Sequence, residues 1–218
     1  MRPNLTDAPS LPHQISRPAA PDGLDATTAA VRRLMDSLVR HGETGLLDLD
    51  SLAAKVHSLA DELDADAPSL DQRMVDMWAR EWTSHDPVTG HQNPLSPPVS
   101  FTGLDDGSVL GEVTLGMVYQ GQPGMAHGGI SALLLDHAFG VANGWAGTSG
   151  MTAHLELDFR APTPLHVPLQ VRARQVRTEG RKIWTEGAIT AGGTECVTAH
   201  ALFIAGHLPR PGGGPAPR

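Results

Sequence analysis

Between Gly128 and about Asn143 the chain carries one long apolar helix pattern, and four strand-like runs follow it. Gly144 and Gly147 break the helix. Thr152 to Phe159 then alternates, placing Ala153, Leu155, Leu157 and Phe159 on one face and Thr152, His154, Glu156 and Asp158 on the other. Leu169 to Val176, Lys182 to Thr190 and Glu195 to Ala205 come next, with hairpin signals at Gly180 and at Gly192-Gly193. Before the helix, Val109 to Leu115 also reads as a strand. One central helix followed by a meander of antiparallel strands is an α+β layout.

Upstream the pattern differs. Met1 to about Asp22 is rich in proline and reads as a flexible lead, as does the tail from Pro209 to Arg218. Two amphipathic helices are expected between them. Val31, Leu34, Met35, Leu38 and Val39 mark one face of the first, and Gly42 offers its stop. Leu52, Val56, Leu59 and Leu63 mark the second, after a cap at Asp50 or Ser51 and before Pro68. These stripes serve either as a partner-binding arm or, the simpler reading, as packing against the chain's own domain or a dimer mate. A third helix is expected from Ser69, where Ser69-Leu70-Asp71-Gln72 fits a capping box, with Met74, Met77 and Trp78 on one side. Ser84 to Pro98 reads as loop.

The 218 residues suffice for one large domain with an extension, and 40% hydrophobic content suffices for a core. A net charge of −8 argues against general nucleic-acid binding. Cys196 is the only cysteine, which excludes an intrachain disulfide and a cysteine-based metal cluster. Its neighbours Val197 and Ala199 suit a plain strand thiol. Eleven histidines show no His-Glu-x-x-His or comparable spacing, so no metal is expected. No run approaches the ~20 apolar residues of a spanning helix. A soluble, cytoplasmic chain is the expectation.

Chemistry concentrates in Met125-Ala126-His127-Gly128-Gly129-Ile130-Ser131-Ala132-Leu133-Leu134-Leu135-Asp136. Glycines let a backbone approach a ligand closely. The first N–H groups of a helix lack intrahelical partners and carry positive partial charge, so they suit a developing oxyanion. Asp136 is an isolated acid on an apolar segment. Together they point to acyl chemistry at a carbonyl.

The order of elements resembles the hotdog-fold thioesterases of the PaaI type, and most nearly their acyl-CoA branch in the thioesterase superfamily. The resemblance rests on Gly121 to Gly129, Asp136, Met151-Thr152-Ala153, Phe159 to Leu165, and Glu179-Gly180-Arg181-Lys182. It spans about Pro94 to Ala205, and the helical part lies outside it. It implies a curved antiparallel sheet around a central helix, edge-to-edge dimers, and hydrolysis of acyl-CoA to free acid and CoA. No separate cofactor is implied, because CoA is part of the substrate. By this likeness Gly128 gives an oxyanion N–H, Asp136 is general base or nucleophile, and Thr152 helps position the attacking water. PaaI-type enzymes place an asparagine in the loop before His-Gly-Gly, where Gly121 stands here, a difference that the acyl-CoA branch shares. The division expected is a lead over 1–22, a helical extension over 23–83, a hotdog domain over 84–207 and a tail over 208–218.

Independently of that resemblance, Gly128 and Asp136 lie eight helical steps apart, about 12 Å. One carbonyl carbon cannot meet both, so a shared thioester requires the two groups to come from different chains, in a homodimer or a dimer of dimers. Asp136 has a plainer reading, as a helix carboxylate bound to a hydroxyl or water. His127 is a candidate acid or base; its plainer reading is structural, with one ring nitrogen fixing the turn that aims the Gly128 and Gly129 N–H groups. His137 points about 100° away from Asp136 and reads as packing. Arg160, Arg172, Arg174, Arg177, Arg181 and Lys182 gather six of the sixteen basic residues. They fit either contacts to CoA phosphates, with Arg160, Arg181 and Lys182 foremost, or a solvated strand face. A hotdog hydratase loop would read Gly-Asp-x-Asn-Pro-Leu-His; Gly90-His91-Gln92-Asn93-Pro94-Leu95-Ser96 keeps the frame and lacks both chemical residues. The alternative to an enzyme is a non-catalytic acyl-CoA-binding or interaction module. Phe139, Trp145 and the leucines near Asp136 suggest an apolar pocket for a medium-chain, long-chain or aryl acyl group.

Overall fold

The computed structural model describes residues 13–14, 23–42, 45, 47–72, 86–97 and 99–206. The elements are β1 (His13–Gln14), α1 (Gly23–His41), α2 (Leu49–Ala65), β2 (Ser100–Gly103), β3 (Ser108–Thr114), α3 (Gly128–Trp145), β4 (Met151–Phe159), β5 (Pro168–Glu179), β6 (Lys182–Ala191) and β7 (Thr194–Ile204). A 3-10 turn covers Met117–Tyr119. The strands form one antiparallel sheet in the order β1-β2-β3-β5-β6-β7-β4. This is the hotdog arrangement, a sheet lying along one long helix, with a helical N-terminal part.

Helix α3 exists because its buried residues Ser131, Leu134, Leu135, Ala138, Phe139, Ala142 and Asn143 recur at three- and four-residue spacing. They meet the inward residues of the long strands, among them Leu169, Val171, Ile183, Ile189, Val197, Ala199 and Phe203. At the centre Phe139 is wholly buried. Gly187 faces it from β6, where a Cβ would lie 2.7 Å from the Phe139 ring and 2.5 Å from the Arg172 carbonyl oxygen. The small residue is what lets the ring seat on the sheet. Hairpins turn at Gly180 (φ 56°) and at Gly192 and Gly193 (φ 55° and 85°), as the glycines predict.

Three upstream expectations are refined. Helix α1 extends from Gly23 and ends before Gly42, whose φ is 56°. The α2 cap is Asp48, whose carboxylate accepts from the Ser51 N–H at 3.0 Å, so the helix starts earlier than Asp50 or Ser51 would place it. No α2 residue is buried, so its Val56, Leu59 and Leu63 stripe finds no cover among the described residues of its own chain. The Ser69–Gln72 capping box forms, with the Gln72 N–H donating to Ser69 Oγ at 3.3 Å and the Ser69 N–H to Gln72 Oε1 at 3.1 Å. Met74, Met77 and Trp78 lie outside the described residues. Strands β1 and β2 are additions to the expected set: Ser100–Gly103 is too short to show a period.

Candidate active site

The turn before α3 is built from its backbone outward. The His127 N–H donates to the Tyr119 carbonyl at 2.9 Å. His127 is the helix N-cap, and its Nδ1 accepts from the Gly129 N–H at 3.0 Å. In that bond Nδ1 is the acceptor, which leaves Nε2 as the ring's N–H donor. The Gly128 N–H has no acceptor among the described residues, and it is the first donor at the positive end of the α3 dipole. Phe159 covers this point from the end of β4: a Cβ on Gly128 would meet its ring at 3.2 Å. Met125, Ala126, Gly128, Phe159, Arg160 and Pro162 are among the walls of a cleft of about 370 Å³ here.

Asp136 lies two turns further on, half-buried. Its Oδ1 accepts a hydrogen bond from Thr152 Oγ1 at 2.8 Å. The strict alternation read from the sequence would turn Thr152 away from the helix, and the structure overturns it. β4 carries a bulge between Thr152 and His154: Thr152 pairs with Phe203 and His154 with Leu202. Ala153 is the extra residue, and it shifts the strand by one. Thr152 therefore joins Leu155, Leu157 and Phe159 on the helix-facing side, opposite Phe203, Ala201, Ala199 and Val197.

His137, beside Asp136, packs inward as expected and also makes contacts that sequence did not show. Its Nε2 lies 3.2 Å from Thr89 Oγ1 and its Nδ1 3.4 Å from Asp86 Oδ1. Burial pushes its pKa below the ordinary value, and the Asp86 and Asp136 carboxylates pull partly the other way. Burial likewise pushes the Cys196 thiol up, which suits an inert strand thiol.

The basic residues fall into separate groups, although Arg160, Arg172 and Arg174 line one concavity of about 550 Å³. Arg160 pairs with Asp158 at 3.0 Å. Arg172 binds Asp106 and Arg174 binds Glu186 on the sheet face away from α3. Ser108 holds the Asp106 carboxyl below its usual range, and Arg172 adds to this. Arg177 stacks on Trp184 with its guanidinium carbon 3.8 Å from the ring centroid. Arg181 Nε donates to the Ala205 carbonyl at 2.9 Å. Lys182 pairs in register with Ile204, which in turn pairs with Met151. Arg160 thus borders the Gly128 cleft, while Arg181 and Lys182 sit at the opposite end of the sheet, beside Met151 and Thr152.

Within one chain the candidate residues therefore fall into two groups. His127, Gly128, Gly129 and Arg160 gather at the start of α3. Asp136 and Thr152 meet near the start of β4, on the hairpin side that carries Arg181 and Lys182. The groups lie toward opposite ends of β4, the last strand of the sheet, whose outer edge is unpaired among the described residues.

Comparison with known proteins bears on the fold and the family. A model described as the thioesterase superfamily matches residues 123–198, and one described as the N-terminal helical domain of hypothetical protein RHA1_ro05818 matches residues 15–72. The chain is similar to the acyl-coenzyme A thioesterase THEM4 of Bos taurus (38% identity over 69 residues, 32% of this chain and 28% of that protein) and of Rattus norvegicus (36% over 93 residues, 41% and 39%). It therefore matches well under half the length of these curated relatives. Zebra fish thioesterase superfamily member 2 shares the fold, with a TM-score of 0.50 at 15% identity, over 64% of this chain and all of that one. The crystal structure of RHA08564, a thioesterase superfamily protein, superposes with a TM-score of 0.80 at 45% identity, across 88% of this chain and 100% of that one. That likeness runs through the helical extension as well as the sheet, and by it the chain belongs to the thioesterase superfamily.

Proposed function

We propose that the protein hydrolyses acyl-CoA thioesters in a site shared by two copies of the chain. The observation that carries the reading is the division of the candidate residues between the two ends of β4. Strand β4 spans nine residues, Met151–Phe159, and its midpoint is Leu155. Pairing that edge antiparallel with its own copy, about a two-fold axis beside Leu155, sets Phe159 of one chain opposite Met151 of the other. The Gly128 N–H of one chain then comes to the Asp136–Thr152 pair of its partner. An edge strand with Met151 52% and Phe159 61% exposed is one that gains by such pairing.

In this site the Gly128 N–H binds the thioester oxygen as it becomes an oxyanion. Asp136 removes a proton from water, whose oxygen attacks the carbonyl carbon, and passes that proton to the departing sulfur; alternatively it attacks the carbon itself and water then hydrolyses the resulting anhydride, and in either case Thr152 fixes the carboxylate through its hydroxyl. The sulfur leaves as CoA thiol and the acyl group as the free acid. His127 holds the turn. Among the described residues the Arg160 guanidinium pairs with exposed Asp158, an exchangeable partner, and so is able to turn to the anionic part of CoA. Arg181 and Lys182 offer a second cationic contact from the partner chain. The acyl group lies against the apolar side of α3, and medium-chain, long-chain and aryl groups all suit it.

The test is release of free CoA thiol from a chain-length panel of acyl-CoAs with phenylacetyl- and benzoyl-CoA, using Asp136→Ala as control. Turnover that falls about 10²-fold or more in the variant is expected. Saturable binding with no turnover on any member would leave an acyl-CoA-binding module instead.

A further inference from the structure

The loop of residues 86–97 touches α3 at His137, next to Asp136, and reaches the start of the helix through Tyr119. Asp86 Oδ1 accepts from the Val88 and Thr89 N–H groups at 2.7 and 2.9 Å, and the Asp86–Thr89 turn so formed holds both nitrogens of the His137 ring, next to Asp136. Further along, the Leu95 carbonyl accepts from the Tyr119 hydroxyl at 3.0 Å. The main-chain carbonyl of the same Tyr119 accepts from the His127 N–H, behind the oxyanion turn. One loop is thus braced against the start of α3 and against its third turn.

What holds the loop is α1. Arg32 spans four residues of it, Asn93 to Ser96, with Nη2 donating to the Asn93 carbonyl at 3.0 Å and Nε to the Ser96 carbonyl at 3.2 Å. A planar guanidinium holds two carbonyls through donors in a fixed fork, a geometry that the single flexible ammonium of a lysine does not impose. His91 Nε2 stands 3.4 Å from Asp25 Oδ1, a second tie to α1. Helix α1 also lies close to the 3-10 turn, where a Cβ on Gly116 would sit 3.1 Å from Asp36 Oδ1. The helical extension therefore reaches the oxyanion turn through one hydrogen-bonded relay, Arg32–loop–Tyr119–His127.

We propose that Arg32 is a positioning residue for the reaction, and that α1 works as a strut for the oxyanion turn. Arg32 touches no reacting atom; it acts through Leu95, Tyr119 and His127. The idea rests on the thioesterase reading for its effect on rate, but its effect on the turn stands apart from that reading. A strut of this kind alters the chemical step while leaving substrate contacts alone, so kcat changes and KM does not.

The experiment compares wild type, Arg32→Ala, Arg32→Lys and Tyr119→Phe in the full chain, with Arg33→Ala, a neighbour on α1, as control. Two quantities are read: kcat and KM by thiol release, and hydrogen exchange of the amides of residues 127–131. Arg32→Ala is expected to lower kcat about tenfold with KM within about twofold, and to speed exchange at 127–131 about tenfold. The β5–β6 amides should keep their protection. Arg32→Lys should recover part of the loss, Tyr119→Phe should show a smaller loss of the same kind, and Arg33→Ala should match wild type. Unchanged exchange at 127–131 in Arg32→Ala would overturn the proposal. So would protection lost evenly across the sheet, which marks a purely stabilising residue. If wild type hydrolyses no thioester, the exchange measurement still decides whether the strut exists, and the failure belongs to the enzymatic reading alone.

Discussion

Gly128→Pro and Asp136→Asn, each inactive by itself, should restore one another when the two variants are combined in one dimer. Gly128 is the first helical residue, and its N–H has no intrahelical acceptor, so proline is tolerated there while the donor is deleted. His127 has ψ 137°, the extended conformation that a residue before proline adopts. The ring would crowd Phe159, but that side chain is 61% exposed and has room to move. Loss of one oxyanion donor should cost about 10²–10³ in kcat, and loss of the carboxylate about 10² or more. In a heterodimer of the two variants, one shared site combines the Gly128→Pro turn of the first chain with the Asp136→Asn amide of the second, so it carries both lesions. The other takes Gly128 from the second chain and Asp136 from the first, and is intact. A heterodimer isolated through two different affinity tags should therefore show about half the wild-type activity, and an equal random mixture about a quarter. Thiol release on the preferred acyl-CoA measures this directly. If Gly128 and Asp136 serve a site within one chain, every site carries a lesion and the mixture stays at the level of its parents. That result would refute the shared-site reasoning while leaving the fold untouched.

Thr152→Val should lower kcat about tenfold, since a hydrogen bond to a carboxylate is worth about 1.5–3 kcal/mol and this one is partly open to water; Thr152→Ser should keep the rate. Equal rates in all three proteins would remove Thr152 from the mechanism. Gly187→Ala forces a Cβ against the Arg172 carbonyl and the Phe139 ring, and overpacking of about 1–3 kcal/mol should drop Tm by roughly 3–10 °C in a melting experiment; an unchanged Tm would show that α3 and β6 are not so closely apposed. His137 supplies a pH dependence. Its folded pKa lies below the ordinary 6.5 because burial disfavours the cation, so the unfolded chain takes up the proton first. Stability from this group is complete above pH 6.5 and declines as pH falls below it. Between about pH 7 and 5 wild type should lose more Tm than His137→Gln, and parallel curves would contradict the assignment.

The central architecture is legible in the sequence because its signals are long. An eighteen-residue apolar helix pattern and strands of nine to twelve residues, separated by glycine turns, leave little choice of elements. His127 is legible in its plainer role, since an N-cap declares itself by its place before the helix. Thr152 is found by family likeness, yet its orientation is not. A bulge adds one residue to one strand of a pair, and nothing local in Thr152-Ala153-His154 announces it; the register belongs jointly to β4 and β7. The arginines look like one patch in the sequence for a related reason. Arg172 and Arg174 do share a concavity with Arg160, but they are paired there with Asp106 from the turn before β3 and Glu186 from β6, and those ion pairs form only when the strands are set side by side. Arg32 gives no sequence signal: its acceptors are main-chain carbonyls about sixty positions away, and any residue type could stand at those positions.

The same reasoning explains why the proposed chemistry calls for a second copy of the chain. The helix and the edge strand are both straight elements, and each carries residues of the proposed site at two separated points. On α3, Gly128 and Asp136 are held about 12 Å apart by the 1.5 Å rise. On β4, Phe159 and Thr152 are held roughly 23 Å apart by the strand rise of about 3.3 Å. No side-chain rearrangement closes those gaps, because the spacing is set by backbone hydrogen bonds. A two-fold axis closes both at once, since antiparallel pairing of a strand with itself exchanges its ends. The bulge at Ala153 then has a purpose in the proposed site. Without it Thr152 would face the outer side with His154, and the carboxylate brought to the partner's oxyanion turn would lack the hydroxyl that aims it.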